Sequence, residues 1–381
     1  MSNPVTPFTL DVPQAQLDDL ARRLAAVRWP ERETVDDWSQ GAPLDHVKAL
    51  CAHWRDGYDW RRCEAMLNGF GQFKTEIDGL EIAFIHKRSP NPNALPLLIT
   101  HGWPGSVIEF HKVIGPLSDP VAHGGSAQDA FHVVAPALPG YGFSEKPSAR
   151  GWDVEHIARA WAELMRRLGY DRYFGQGGDW GSPVSLELGR TDPEHCRAIH
   201  LNMVIGRPNE AQRADMTPAE KAAWDAVQEH QQTGTGYSKQ QSTRPQTLGY
   251  GLVDSPIAQA AWIIEKFWAW CDCDGNPENS LTIDEMLDNV MMYWLTGAGA
   301  SSGRLYWESF APTVGQTYTN PIGASIFPGE IMRPSRRWAE NRLKNIFYWN
   351  EPEKGGHFAA FEQPEVFVRE VRACFNGFSL D

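Results

Sequence analysis

The stretch Gly177-Gly178-Asp179-Trp180-Gly181 puts a carboxylate at the centre of a glycine-flanked turn. Residues 172–176 before it read as a strand, and residues 183–190 after it read as a helix. Strand, small-x-nucleophile-x-small, helix is the pattern of a nucleophile elbow, a turn so tight that its flanks must be glycine or nearly so. Such a turn lifts the central side chain out of the sheet and aims a helix N-terminus at the chemistry. The usual central residue is serine; aspartate changes what the site can do. A carboxylate of ordinary pKa ~3.9 is ionised near neutral pH and attacks without help from a base. Attack on an sp3 carbon leaves an ester joined to the chain, and cutting that ester with water does need a base. The plainer reading is an aspartate capping a helix after a Gly-rich turn. A histidine, an orienting acid and an oxyanion hole in the right places decide between the two.

In folds with this elbow the chain order is nucleophile, acid, histidine, with the histidine after the last strand. Lys354-Gly355-Gly356-His357-Phe358 meets that demand, and its two glycines let the loop carry His357 back over the sheet. Phe327-Pro328-Gly329-Glu330 places Glu330 at the end of the preceding strand, where it would accept the histidine Nδ1–H and fix the tautomer. Its rivals sit elsewhere: Glu340 inside an expected helix, Glu351 and Glu353 in the histidine loop itself. The oxyanion hole is expected from His101-Gly102-Trp103-Pro104-Gly105, where Gly102 leaves the backbone bare and Pro104 fixes the path. Its donors would be the backbone N–H groups of Trp103 and Trp180. His101 is read as a support of that loop rather than as a second base.

These residues need a scaffold that brings four separated loops to one edge. Residues 1–70 read as a helical lead-in, with Leu17, Leu20, Leu24 and Val27 at helical spacing and short helices over 43–54 and 60–68. Residues 71–206 read as the first part of an α/β core. Strands at 73–77 and 80–86 flank the hairpin signal Asp78-Gly79. Further strands are expected at 95–100, 131–135 and 198–204, with helices at 106–117 and 152–168. Short apolar runs alternating with helices mean a mostly parallel sheet wrapped by helices. Residues 207–318 break the alternation and read as an inserted helical cap, with capping boxes at Thr217–Glu220 and Thr282–Glu285. The core resumes over 319–381, with strands at 323–327 and 346–349 and helices at 334–343 and 363–375.

The 381 residues are 42% hydrophobic, enough for a large core, and carry a net charge of −13. An acidic surface repels phosphate backbones and anionic lipid, so neither nucleic acid nor membrane is an expected partner. The first ten residues lack a basic segment and a long apolar run, so no signal peptide or anchor is expected and the expected location is the cytoplasm. Six cysteines without a CxxC pair argue against zinc and disulfide frameworks. Sixteen tryptophans suit either an aromatic-lined pocket or ordinary core packing. Two decoys fail on context. Gly299-Ala300-Ser301-Ser302-Gly303 follows a helix rather than a strand. Asp272-Cys273-Asp274-Gly275-Asn276 has a misplaced glycine for a calcium loop, and Ile283 where a bidentate glutamate is required.

The HGWP segment, the GGDWG elbow, the run Gly355-Gly356-His357-Phe358-Ala359-Ala360-Phe361-Glu362-Gln363-Pro364 and the lead-in from Phe8 together resemble an α/β-hydrolase-fold epoxide hydrolase of the microsomal type. The likeness spans nearly the whole chain and is to the soluble bacterial and fungal branch, since the hydrophobic anchor of the membrane-bound relatives is lacking. The resemblance implies an N-terminal meander wrapped around core and cap. It also implies two cap tyrosines that grip the epoxide oxygen and donate a proton as the ring opens. One maps onto Tyr306 and the other onto Tyr237, with Tyr250 as the rival of Tyr237. The expected reaction converts an epoxide to a vicinal diol through a hydroxyalkyl ester on Asp179, cut by water that His357 and Glu330 activate. No metal or cofactor is needed. The expected partners are water and a small apolar or aromatic epoxide, and a homodimer is compatible with the sequence. A haloalkane dehalogenase would share the aspartate and Trp180 but has no use for the tyrosines, because halide leaves without a proton. A serine esterase lacks its serine, and a hydrolase-like binding protein would not need every catalytic position filled.

Overall fold

The computed structural model describes residues 4–309 and 316–378; residues 310–315, within the expected cap, and the few at either terminus lie outside them. Nine strands make one sheet: β1 (Thr6–Phe8), β2 (Gln72–Ile77), β3 (Leu80–Lys87), β4 (Leu95–Thr100), β5 (Phe131–Pro136), β6 (Tyr173–Gly177), β7 (Cys196–Leu201), β8 (Ile322–Ser325) and β9 (Ile346–Asn350). Their order is β1-β2-β3-β5-β4-β6-β7-β8-β9. The pairs from β1 to β5 are antiparallel, and those from β5 through β9 are parallel. Asp78 and Gly79 both take positive φ and close the β2–β3 hairpin, as a two-residue turn of this hand requires.

The inner parallel strands are buried almost throughout. Every residue of β6 is buried, and so is all of β4 but Leu95. A strand covered on both faces reads as an unbroken apolar run, which is why Leu97, Leu98 and Ile99 were legible as one. Registers then fix the site. Thr100 of β4 pairs with Gly177 of β6, so the HGWP loop and the elbow leave the sheet side by side.

Between β7 and β8 the described residues contain helices only, from Glu210–Ala214 through Pro256–Trp270 and Ile283–Trp294 to Gly299–Ser309. Thr217 and Thr282 both form reciprocal capping boxes with the glutamate three residues on, and Asn209 forms another with Gln212. The lead-in helices Gln14–Ala25, Leu44–Asp56 and Trp60–Gly69 pack on this helical block. Arg62 and Tyr58 both bond the buried Asp288 of helix Ile283–Trp294, at 2.7 Å each.

Three expectations need correction. Residues 6–8 form an edge strand on β2, too short and too exposed to show a pattern. The helix expected over 334–343 is confined to Arg336–Ala339, because the backbone beyond it turns to pair Tyr318 with Leu343. The helix expected over 106–117 starts as a 3-10 turn, Val107–Phe110, capped by Ser106, and becomes α-helical only at His111.

Candidate active site

Asp179 takes φ +47°, a conformation that L side chains rarely adopt and that marks a strained elbow. The flanking glycines are explained by what a Cβ would meet. At Gly177 it would lie 2.0 Å from the Gly181 carbonyl oxygen, and at Gly181 it would lie 1.9 Å from that of Thr100. At Gly102 it would lie 2.1 Å from Asp179 Oδ1, so Gly102 is bare in order to let the carboxylate approach the loop.

That approach makes a bond: the Trp103 N–H donates to Asp179 Oδ1 at 2.7 Å. The other oxygen, Oδ2, faces His357 Nε2 at 3.5 Å. His357 Nδ1 sits 2.8 Å from Glu330 Oε1, and Glu330 is wholly buried at its side chain. Sequence reasoning put Glu330 at a strand end, whereas β8 stops at Ser325. A lone parallel bridge between Gly329 and Gly356 extends the pairing of the two late loops. It sets the next residue of each, Glu330 and His357, beside one another. The rivals point elsewhere. Glu340 pairs with Arg336 on the surface, and Glu351 accepts the Trp349 indole N–H.

Of the two expected oxyanion donors only Trp103 touches Asp179; no hydrogen bond from the Trp180 N–H occurs among the described residues. His101 accepts the Leu138 N–H at Nε2 and has its Nδ1 2.9 Å from the Gly102 carbonyl. Burial pushes its pKa down to about 4, so it stays neutral and holds the loop in one tautomer.

The two tyrosines come together over this centre. The Tyr237 ring stacks on Trp103 at 5.0 Å, and Tyr306 stands edge-on to Tyr237 at 5.9 Å and to Trp180 at 4.8 Å. The two hydroxyls hydrogen-bond each other, and the Trp180 indole N–H donates to that of Tyr306. Burial raises the pKa of both, so both remain proton donors. Tyr250 is 71% exposed and takes no part. The tryptophan surplus divides: Trp103, Trp180 and Trp270 wall the site, whereas Trp54, Trp60 and Trp161 fill the core.

His357 experiences opposed effects. Burial disfavours its charged form, but the Glu330 and Asp179 carboxylates overcome this and hold its pKa well above 6.5. Asp179 is therefore paired with an imidazolium in the resting site.

Several residues that position the site gave no signal in the sequence. Asn289 bonds Ser106 Oγ and the Pro104 carbonyl, both at 2.8 Å, and Tyr293 donates to the Gly105 carbonyl at 2.7 Å. Helix Ile283–Trp294 thus holds the HGWP loop. Glu362 accepts backbone N–H groups from Asp272, Gly356 and Phe358, while the Gly355 N–H donates to Asp272 Oδ2. The segment that mimicked a calcium loop is thus a clasp on the histidine loop. The G-x-S-x-G decoy lies in helix Gly299–Ser309, where Ser301 bonds the Gly140 carbonyl. All six cysteines are free and buried. A cavity of about 430 Å³, lined by Trp224, Val227, Ile331, Met332 and Pro334, reaches Tyr237.

The profile of the epoxide hydrolase N terminus matches residues 5–110, and that of the α/β hydrolase fold matches 96–235. A chain from Stigmatella aurantiaca, provisionally named an epoxide hydrolase, is 54% identical over 97% of this chain and 84% of its own length. The chain belongs to the epoxide hydrolase family. Epoxide hydrolase 1 of Sus scrofa is 34% identical across 97% of this family member and 88% of the relative. The solved epoxide hydrolase of Aspergillus niger superposes with a TM-score of 0.89 at 33% identity, over 98% of this chain and 96% of that one. This family member is thus an enzyme with the α/β-hydrolase fold, and no helix among its described residues is long and apolar enough to cross a membrane.

Proposed function

We propose that this enzyme converts small apolar or aromatic epoxides to vicinal diols through a covalent ester on Asp179. The observation that carries the reading is the division of labour between the two carboxylate oxygens. Oδ1 is held by the Trp103 N–H, and Oδ2 is left to face His357. Oδ2 attacks an epoxide carbon, and the C–O bond to the ring oxygen breaks. Tyr306 and Tyr237 donate to that oxygen, because a bare alkoxide is a poor leaving group near neutral pH. Oδ1 becomes the ester carbonyl and already lies on the donor that will hold the later oxyanion, so no reorganisation is needed.

In the second step His357 takes a proton from water, and the water oxygen attacks the ester carbon. On collapse the C–O bond to the substrate breaks and the departing oxygen takes the proton from the imidazolium, releasing the diol. The proton left on the new Asp179 carboxyl restores the tyrosine hydroxyl and the resting carboxylate. Glu330 holds the ring and stabilises its charge. The 430 Å³ cavity with its mostly apolar lining supports an apolar substrate.

The test is a single turnover in 18O-labelled water with excess enzyme and styrene oxide. Unlabelled diol with label retained on the peptide carrying Asp179 is the expected result. Labelled diol from the first turnover would mean that water attacks the epoxide directly, and Asp179 would then be a base.

A further inference from the structure

The apolar cavity that reaches Tyr237 has a cationic mouth. Its charged lining residues are Arg207, Lys239 and Arg333, and no aspartate or glutamate lines it among the described residues. That runs against the balance of a chain with 48 Asp and Glu and 35 Lys and Arg. All three cations are exposed, whereas Tyr237 is buried. The charges therefore stand at the solvent end of the cavity and the proton donor at its inner end.

The three charges are also unclaimed. Arg337, beside the wall, is paired with Glu220 and Asp215, and Lys266, over the Tyr237 ring, is paired with Glu265. Arg207, Lys239 and Arg333 have no ion-pair partner among the described residues. Arg333 Nη1 donates to the Pro328 carbonyl at 2.8 Å, which steadies the guanidinium and leaves it further N–H groups to donate. Backbone packing gathers the set. Gly206, after β7, lies so close to Pro334, after β8, that a Cβ on it would stand 2.7 Å from the proline Cβ. Each of these two residues has an arginine next to it, Arg207 and Arg333. Lys239 joins them from helix Gly236–Thr243, which also carries Tyr237.

Apolar walls with unpaired cations at the mouth fit an amphiphile. We propose that the preferred substrates have an apolar body that fills the cavity and an anionic end group, in the simplest case a carboxylate, that docks on Arg333, Arg207 and Lys239. This rests on the epoxide-hydrolysing reading above and narrows its substrate class. The epoxide sits at Tyr237 and the anion at the mouth, so the cations set which end of the substrate enters first. A guanidinium matches a carboxylate with two parallel N–H bonds. The local charge also draws in an anion that the net charge of −13 would repel. These contacts are far from the bond that breaks and are equally present before and during the reaction, so they act on KM more than on kcat.

The experiment compares terminal epoxides of straight-chain carboxylic acids with the methyl ester of each, over a series of chain lengths. The proteins are wild type and the triple variant Arg207→Gln, Lys239→Gln, Arg333→Gln. At low salt, wild type should prefer the acid to its ester by ~10-fold in kcat/KM at the length that spans the cavity, the scale of a few partly solvated ion pairs. The difference should lie in KM. It should vanish in the triple variant, and in wild type at ~1 M salt, where exposed charges are screened. The salt arm needs no variant and stands even if the triple variant does not fold. Equal kcat/KM for acid and ester in wild type, or a preference that survives both substitution and salt, would overturn the proposal. Calorimetry with saturated carboxylates of the same lengths reads docking without turnover. Binding that the triple variant loses, with no epoxide hydrolysed, would leave the anion site standing and sink the reading of the active site. A saturated carboxylate that binds no better than its methyl ester sinks the anion site itself.

Discussion

Glu330 and His357 are 27 residues apart in the chain and 2.8 Å apart across the Gly329–Gly356 bridge. Among the described residues no other acid reaches Nδ1, and Glu330 Oε1 also accepts the Ile331 N–H, which fixes the carboxylate. Glu330→Gln should leave ester formation within a few-fold of normal and slow ester cleavage by roughly 10²- to 10⁴-fold, the range for loss of effective general-base catalysis. Quenched-flow detection of the ester on Asp179 checks this; cleavage at the normal rate would remove Glu330 from the mechanism.

The charge on His357 should depend on the state of Asp179. In the resting site the Glu330 and Asp179 charges outweigh burial and raise its pKa. Ester formation removes the Asp179 charge, so the pKa of His357 falls and the neutral base appears when it is needed. The imidazole titration followed by NMR in free enzyme should therefore lie above the apparent pKa of ester cleavage. The sign for stability follows from linkage. A histidine with a raised folded-state pKa contributes stability that is complete below its unfolded value of ~6.5 and is lost as pH rises through the folded value. The Tm advantage of wild type over His357→Gln should shrink across that window.

Much of this was legible because tight backbone geometry leaves residue-type signatures. Asp179, Gly102 and His357 sit where only glycine neighbours fit, and glycine clusters are visible in a sequence. Buried strands such as β4 are visible as apolar runs. Contacts across the fold leave no such trace. Asn289, Tyr293 and Glu362 act on backbone atoms of distant segments, at Pro104, Gly105 and Asp272, and any residue type can supply a backbone atom. Glu330 was found by order along the chain, and its true cause, a bridge beyond the strand end, could be seen only in three dimensions.

The paired tyrosines should share the proton-donor role unevenly. Tyr306 is held by the Trp180 indole N–H as well as by Tyr237, whereas Tyr237 is placed by stacking on Trp103. Each single Tyr→Phe change leaves one donor and should slow ester formation by ~10- to 100-fold, and the double change by more, within the span of general-acid catalysis. Stopped-flow ester formation measures this, with ester cleavage as the internal control that should stay unchanged.

The lead-in helix Trp60–Gly69 is tied to helix Ile283–Trp294 through one buried acid. Arg62 makes two bonds to Asp288, at 2.7 and 2.8 Å, and Tyr58 makes another. Asp288 is 1% exposed at its side chain, while Arg62 is 43% exposed. Asp288 adjoins Asn289, which holds the Pro104 carbonyl of the HGWP loop. Arg62→Ala leaves a buried carboxylate without its cation. For a fully buried pair that costs ~3–5 kcal/mol, and because Arg62 is partly solvated a loss of ~1–3 kcal/mol is expected. Urea denaturation should show it as a lower midpoint. Adding Asp288→Asn removes the stranded charge and should recover part of the loss. A double variant no more stable than Arg62→Ala would mean that Arg62 acts through packing rather than through its charge.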